Sequence, residues 1–268
     1  MPERYRHPPL VELIAELRWG SPFPGGQSQG AVFMAATGSH EEFFMRFGLK
    51  AGLLGYERAE RLLPPGFAAM PFQAIYRFRK KTPEEGTSLY HIGTGVFSAN
   101  ITPPYDSWQQ FKPIVENGVG VLLETRIPAE KTMPFTSASL RYLNAFGSKF
   151  MEGQSVASFV KNVLGLRVEL PTSVQNEVSP NNEARASFQL NMPLKSGQQM
   201  TLSVGEGLVA GEQAAVMDLT VGTRTITPPT QSDVMAVLDT ANEVAHRVFI
   251  NVTKGLSEKM EPIKGDQT

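Results

Sequence analysis

Residues 10 to 19 alternate: Val11, Leu13, Ala15, Leu17 and Trp19 fall on one side, Glu12, Glu16 and Arg18 on the other with Ile14. A period of two marks a strand with one buried face. His7-Pro8-Pro9 keeps the approach extended, because proline disfavours helix in the residue before it. SPFPGGQSQG at 21 to 30 then makes a loop. Ser39, with Glu42 three residues on, reads as a capping box. It opens a helix carrying Phe43, Phe44 and Phe47 at core spacing; Gly48, Gly52 and Gly55 weaken its second half, and it ends before Pro64-Pro65.

Residues 73 to 80, QAIYRFRK, set Ala74, Tyr76 and Phe78 against Arg77 and Arg79 as a second strand. After a TPEEG turn, residues 88 to 101 make a third, interrupted at Gly93 and Gly95 by a bulge or a close backbone approach. Ser107 caps a helix with Trp108, Phe111, Val115, Val119 and Leu122 near helical spacing, kinked at Pro113. TSASLRYLNAF at 136 to 146 is a fourth strand. The order β-α-β-β-α-β predicts a ferredoxin-like module over residues 1–150. Over residues 151–268 the pattern predicts a short helix at 154 to 164 ended by Gly165, a polar loop at 172 to 183, and three strands, each with one apolar face, centred on Leu190, Leu202 and Leu219. The KSGQ turn joins the first two as a hairpin. A long final helix carries Val234, Leu238, Ala241, Ala245, Val248 and Val252 on one stripe. The expected class is α+β: a ferredoxin-like module followed by an antiparallel sheet covered by the C-terminal helix. No internal repeat is visible.

The chain has 268 residues, 41% of them hydrophobic, enough for a large core. With 25 Lys+Arg against 26 Asp+Glu, its formal charge of −1 gives no overall attraction to phosphate backbones or anionic lipid, so no specific nucleic acid is expected. No run approaches the roughly 20 apolar residues that span a bilayer, and MPERYRHPPLVEL is charged and proline-bearing where a signal peptide is apolar. A cytoplasmic protein with no membrane partner is expected. The absence of cysteine excludes disulfides, thiolate nucleophiles and sulfur-ligated metals.

The candidate chemistry is sparse. Glu12 and Glu16 lie about 13 Å apart along an extended strand, beyond the roughly 5–10 Å of a glycosidase pair; with Arg18 they decorate a polar sheet face. Arg77, Arg79, Lys80 and Lys81 form a basic cluster, but Tyr76 and Phe78 face away from the arginines, which suits a charged sheet edge better than a base-stacking platform. Ile92-Gly-Thr-Gly-Val96 lacks the third glycine or the Gly-Lys-Ser/Thr of a phosphate loop, and no cofactor is expected. His7, His40, His91 and His246 show no metal-ligand spacing, so no metal is expected. The most distinctive stretch is NITPPYDSW at 100 to 108, where Tyr105 and Trp108 suit an interface. Arg141 and Asn144 have opposite parities and belong on opposite faces. The residues singled out for binding are Glu12, Glu16, Arg18, His91, Asn100, Tyr105, Trp108 and Arg141, and no catalytic residue is assigned.

Tyr5 with Pro8-Pro9-Leu10-Val11-Glu12 and Glu16-Leu17-Arg18, then Val96-Phe97-Ser98-Ala99-Asn100, Tyr105-Asp106-Ser107-Trp108 and Leu140-Arg141-Tyr142-Leu143-Asn144, resemble the landmarks of a sporadically distributed bacterial protein family of unknown function. The resemblance spans roughly the first 145 residues and, more loosely, Ala245-His246-Arg247-Val248-Phe249. It implies no activity, cofactor or catalytic residue. Patchy distribution is typical of genes for conflict between bacteria or against phage, which implies an immunity or antitoxin-like role.

Two functions compete. Reactive groups that look dispersed favour a non-catalytic protein-binding factor over an enzyme. The alternative is a small-ligand-binding protein or enzyme with a pocket between the two modules. Open sheet edges also suit a homo-oligomer.

Overall fold

A computed structural model describes residues 4–20, 38–67, 69–105, 107–167, 171–175, 177 and 187–263. A two-residue strand β1 (Arg4–Tyr5) leads into β2 (Leu10–Trp19) and helix α1 (Gly38–Leu53). Four strands follow: β3 (Arg58–Arg61), β4 (Ala74–Arg79), β5 (Leu89–Gly93) and β6 (Val96–Ile101). Helix α2 (Trp108–Thr125) and strand β7 (Phe135–Phe146) come next, then the short helices α3 (Ser148–Met151), α4 (Val156–Asn162) and α5 (Thr172–Gln175). Strands β8 (Phe188–Pro193), β9 (Gln199–Val209) and β10 (Glu212–Thr223) precede the long α6 (Gln231–Val252), then α7 (Ser257–Met260) and β11 (Pro262–Ile263), which pairs with β1. The chain is α+β, with a nine-stranded sheet ordered β3-β4-β5-β6-β2-β7-β10-β9-β8, antiparallel throughout.

Strand alternation gives this sheet one apolar face, and the helices cover it. Leu13, Ala15, Leu17 and Trp19 of β2 are buried there beside Phe97 and Ala99 of β6 and Leu140 of β7. From α1, Phe47 packs among Phe78, Tyr90 and Phe97, with ring centroids 5.4–6.0 Å away. Helix α2 packs tightly at Gly118, where an added Cβ would stand 2.6 Å from the Tyr90 ring and 2.7 Å from Phe97. Helix α6 crosses β7 and β10; the Thr230 hydroxyl caps it by accepting the Asp233 N–H. Among the described residues, no helix is long and apolar enough to cross a membrane.

Several elements differ from the sequence expectation. The expected third strand is a hairpin, β5 and β6, because the chain turns back at Thr94-Gly95. Gly95 has φ +73°, and a Cβ on Gly93 would stand 2.0 Å from the Gln73 carbonyl oxygen, so neither position admits an ordinary side chain. Strand β3, RAER, lies beyond β4. Arg77 and Arg79 therefore do not form an unpaired edge; both bond to Glu60 of β3. Four strands, not two, separate α1 from α2. Ser39 lies inside the first turn of α1 instead of ahead of it. Ser107 does hold the N-cap position of α2, but it makes no capping bond; its Oγ accepts from Arg4 Nη2 at 3.4 Å. The helix runs on through Pro113. The expected loop at 21 to 30 and most of that at 172 to 183 fall outside the described residues.

The sheet passes unbroken across residue 150, because β7 pairs with β2 on one side and β10 on the other. Both halves follow one path. A starting strand, β2 or β7, leads through helix to a meander whose last strand, β6 or β10, returns beside it and feeds a long helix, α2 or α6. The starting strands pair with each other, Ile14 opposite Arg141 and Ala15 opposite Leu140, so an approximate dyad passes between them.

Candidate functional site

The polar parity of the same strands builds the opposite face of the sheet. On β2 it presents Glu12, Ile14, Glu16 and Arg18; pairing sets Asn100 opposite Ile14 and Ser98 opposite Glu16 on β6, with His91 beyond Ser98 on β5. A hydrogen-bonded chain crosses these strands. Asn100 Nδ2 donates to Glu12 Oε1 at 2.7 Å, Ser98 Oγ donates to Asn100 Oδ1 at 2.8 Å, and His91 Nδ1 lies 3.4 Å from Ser98 Oγ. Ser98 and Asn100 are buried, being short side chains flanked by longer ones. Burial, with the Arg77 charge beside it, holds His91 below the ordinary imidazole value, the Glu12 charge acting the other way. Farther along, Arg77 Nη2 meets Glu60 Oε2 at 2.7 Å.

Across the dyad, Arg141 on β7 forks onto Asp218 on β10, with Nε 2.9 Å from Oδ1 and Nη2 2.5 Å from Oδ2. This bond raises the Arg141 pKa against the cost of burial, and the Glu16 and Glu12 charges add to it. Arg18 Nε donates to Glu16 Oε1 at 2.7 Å, and its guanidinium lies over the Phe72 ring. Glu16, Arg18, Arg141 and Asp218, with Thr201 and Thr220, surround a hollow of about 230 Å³. The expected dispersal of reactive groups is thus overturned: pairing order gathers acids and guanidinium groups around one solvent-reachable depression.

Tyr105 and Trp108 lie elsewhere, on the helix-covered side. A bulge between Leu10 and Glu12 interrupts the β2 alternation and seats Leu10 opposite Asn144. Leu10 then lines an aromatic pocket of about 120 Å³ between β1, the start of α2, β7 and α6. Tyr5 meets Phe249 edge-on at 6.3 Å. Trp108 Nε1 donates to Asp239 Oδ1 at 2.8 Å, and Tyr142 Oη donates to Asn242 Oδ1 at 2.7 Å. Burial pushes the Tyr105 and Tyr142 hydroxyls above the ordinary phenol value.

Of the eight residues singled out from the sequence, Glu12, Glu16, Arg18, His91, Asn100 and Arg141 share the open face, while Tyr105 and Trp108 share the pocket. Sequence reasoning missed Ser98, Glu60 and Asp218 on the face, and Tyr142, Asn144 and Asn242 in the pocket. Besides the polar-aromatic stretch at 100 to 108, the signal for the pocket was the set of segments that carries the family resemblance: Tyr5, Tyr105, Tyr142 and Phe249 come from four of them and meet here. Arg141 and Asn144 do fall on opposite faces. Among the described residues, no group of three or more metal-ligating side chains comes together. Comparison with protein-family models, curated proteins and solved structures returned no match.

Proposed function

We propose that this chain is a non-catalytic binding protein of the cytoplasm, of the immunity or antitoxin kind that the family resemblance implies, and that the open sheet face holds its protein partner. The observation that carries the reading is the ladder of fixed polar side chains running from Glu60 on β3 to Asp218 on β10. Glu12, Glu16, Glu60 and Asp218 alternate with Arg18, Arg77, Arg79 and Arg141, each held by a neighbour on the face. Side chains already held in place lose little freedom when a partner docks. Interspersed signs match a protein surface of mixed charge; a phosphate backbone would be repelled as often as attracted. The same pairing leaves little room for proton chemistry, since the Ser98 hydroxyl proton is committed to Asn100 and Glu12 to the Asn100 amide. The ferredoxin-like description also belongs to this reading: β2-α1-β5-β6-α2-β7 keeps the β-α-β-β-α-β order, with β3 and β4 inserted.

The test is purification of the untagged protein, at native level and with its genomic neighbours, followed by mass spectrometry. One stoichiometric protein partner is expected. Arg141→Asp should release it, whereas Leu53→Asp, on the exposed side of α1 at 87% exposure, should retain it. No stoichiometric partner, or retention by Arg141→Asp, contradicts the proposal. A second reading, a small-ligand-binding protein, is favoured by the aromatic pocket.

A further inference from the structure

The geometry points to the aromatic pocket as a site for a planar, single-ring heteroaromatic molecule with a hydrogen-bond donor and an acceptor adjacent on one edge, as in a free pyrimidine base or an aromatic carboxamide. This inference rests on the second reading above and is independent of the open face. Tyr5, Tyr105, Trp108 and Phe249 supply ring walls, the surface on which planar π systems stack. The space, about 120 Å³, is on the scale of the roughly 150 Å³ cavity that admits benzene.

The floor is polar and underused. Asn144 is 2% exposed, yet its amide makes one hydrogen bond among the described residues, from Nδ2 to the Tyr142 carbonyl at 3.5 Å. An amide offers two donor hydrogens and two acceptor lone pairs, so positions remain for a ligand to pair with. The Tyr105 hydroxyl has no hydrogen-bond partner among the described residues, and Asn242 uses its Oδ1 to accept from Tyr142 while no bond engages its Nδ2. A ring edge with adjacent donor and acceptor is the shape a carboxamide grips with two hydrogen bonds, as asparagine grips a base edge. Arg4, which donates to Ser107 Oγ, and His246 also line the pocket, while the nearby Asp239 carboxylate is committed to Trp108 and Lys112.

Uracil, nicotinamide and toluene, titrated separately by ligand-observed NMR and thermal shift, test the assignment. Saturable binding is expected for uracil or nicotinamide, tighter than for toluene. Asn144→Leu should weaken the heteroaromatic about tenfold and leave toluene within about threefold. Tyr105→Phe, which keeps the ring wall and removes one hydroxyl, should also weaken the heteroaromatic selectively, and it carries the test should Asn144→Leu not fold. Absence of saturable binding by both heteroaromatics, toluene binding as tightly as they do, or unchanged affinity in the variants that fold overturns the assignment. Arg141 lies on the other side of the sheet, so these results and the release of a protein partner by Arg141→Asp are separable.

Discussion

Glu130 shows how one buried acid organises the end of the sheet. Its Oε2 accepts from Trp19 Nε1 at 2.6 Å and its Oε1 lies 3.4 Å from His40 Nε2; Arg126, fully buried, lies over the Trp19 and Phe135 rings. Burial alone would raise the Glu130 pKa, but the bonds from His40 and Trp19 and the charges of His40 and Arg126 outweigh it, and the carboxyl ends below 4.5. A folded value below the unfolded one means that the stabilisation is present above pH 4.5 and is lost as pH falls from there through the folded value. Glu130→Gln should therefore cost about 1–3 kcal/mol near neutrality and flatten the acid limb of the stability curve, read by urea unfolding between about pH 3 and pH 7. Equal slopes in the two proteins would show that Glu130 does not titrate this way. Nothing in the sequence joins Trp19, His40, Arg126 and Glu130. By contrast, the opposed placement of Arg141 and Asn144 was legible from parity alone, because a strand fixes faces before it fixes neighbours.

At the scale of elements, legibility follows the burial pattern. Strands β2, β7, β9 and β10 bury one face along most of their length, and a period of two shows them directly; in β4 the buried Ile75 and Phe78 stand three apart, with a register shift between Ala74 and Tyr76. Strand β3 carries two arginines and a glutamate in four residues, so only its pairing with β4 reveals it. The β5-β6 hairpin lies within fourteen residues that read as one strand interrupted at Gly93 and Gly95; that length, beyond the usual 3–10 residues of a strand, is the sign that the glycines make a turn and not a bulge. The start of α6 is equally hard to read from sequence, since Thr230 sits one residue ahead of Gln231 without a Glu or Gln three positions on. Its hydroxyl accepts the Asp233 N–H, so Thr230→Ala should destabilise the protein by about 1 kcal/mol, seen as a lower urea midpoint with an unchanged slope. An unchanged midpoint would show that the cap contributes nothing.

On the whole-molecule scale, the two expected modules share a sheet, and that sharing creates both candidate sites. Cutting after residue 150 would strip β10 from β7 and leave each piece with a long bare edge. The full chain should melt in one calorimetric transition, and fragments 1–150 and 151–268, expressed apart, should fail to fold; two transitions or a folded fragment would show separable domains. Dispersal along the sequence is a poor guide to which side chains meet, because antiparallel pairing sets lateral neighbours: Glu12 and Asn100, or Arg141 and Asp218, come together only once strand order is known. If the open face acts by the charges it presents, exchanging them must matter even when the pair survives. The double variant Arg141→Asp with Asp218→Arg restores the internal ion pair and should keep wild-type stability within about 0.5 kcal/mol. Measured for binding to the copurified partner, it should stay as weak as Arg141→Asp alone. Recovery of wild-type affinity by the exchange would mean that the pair serves the sheet and not a partner.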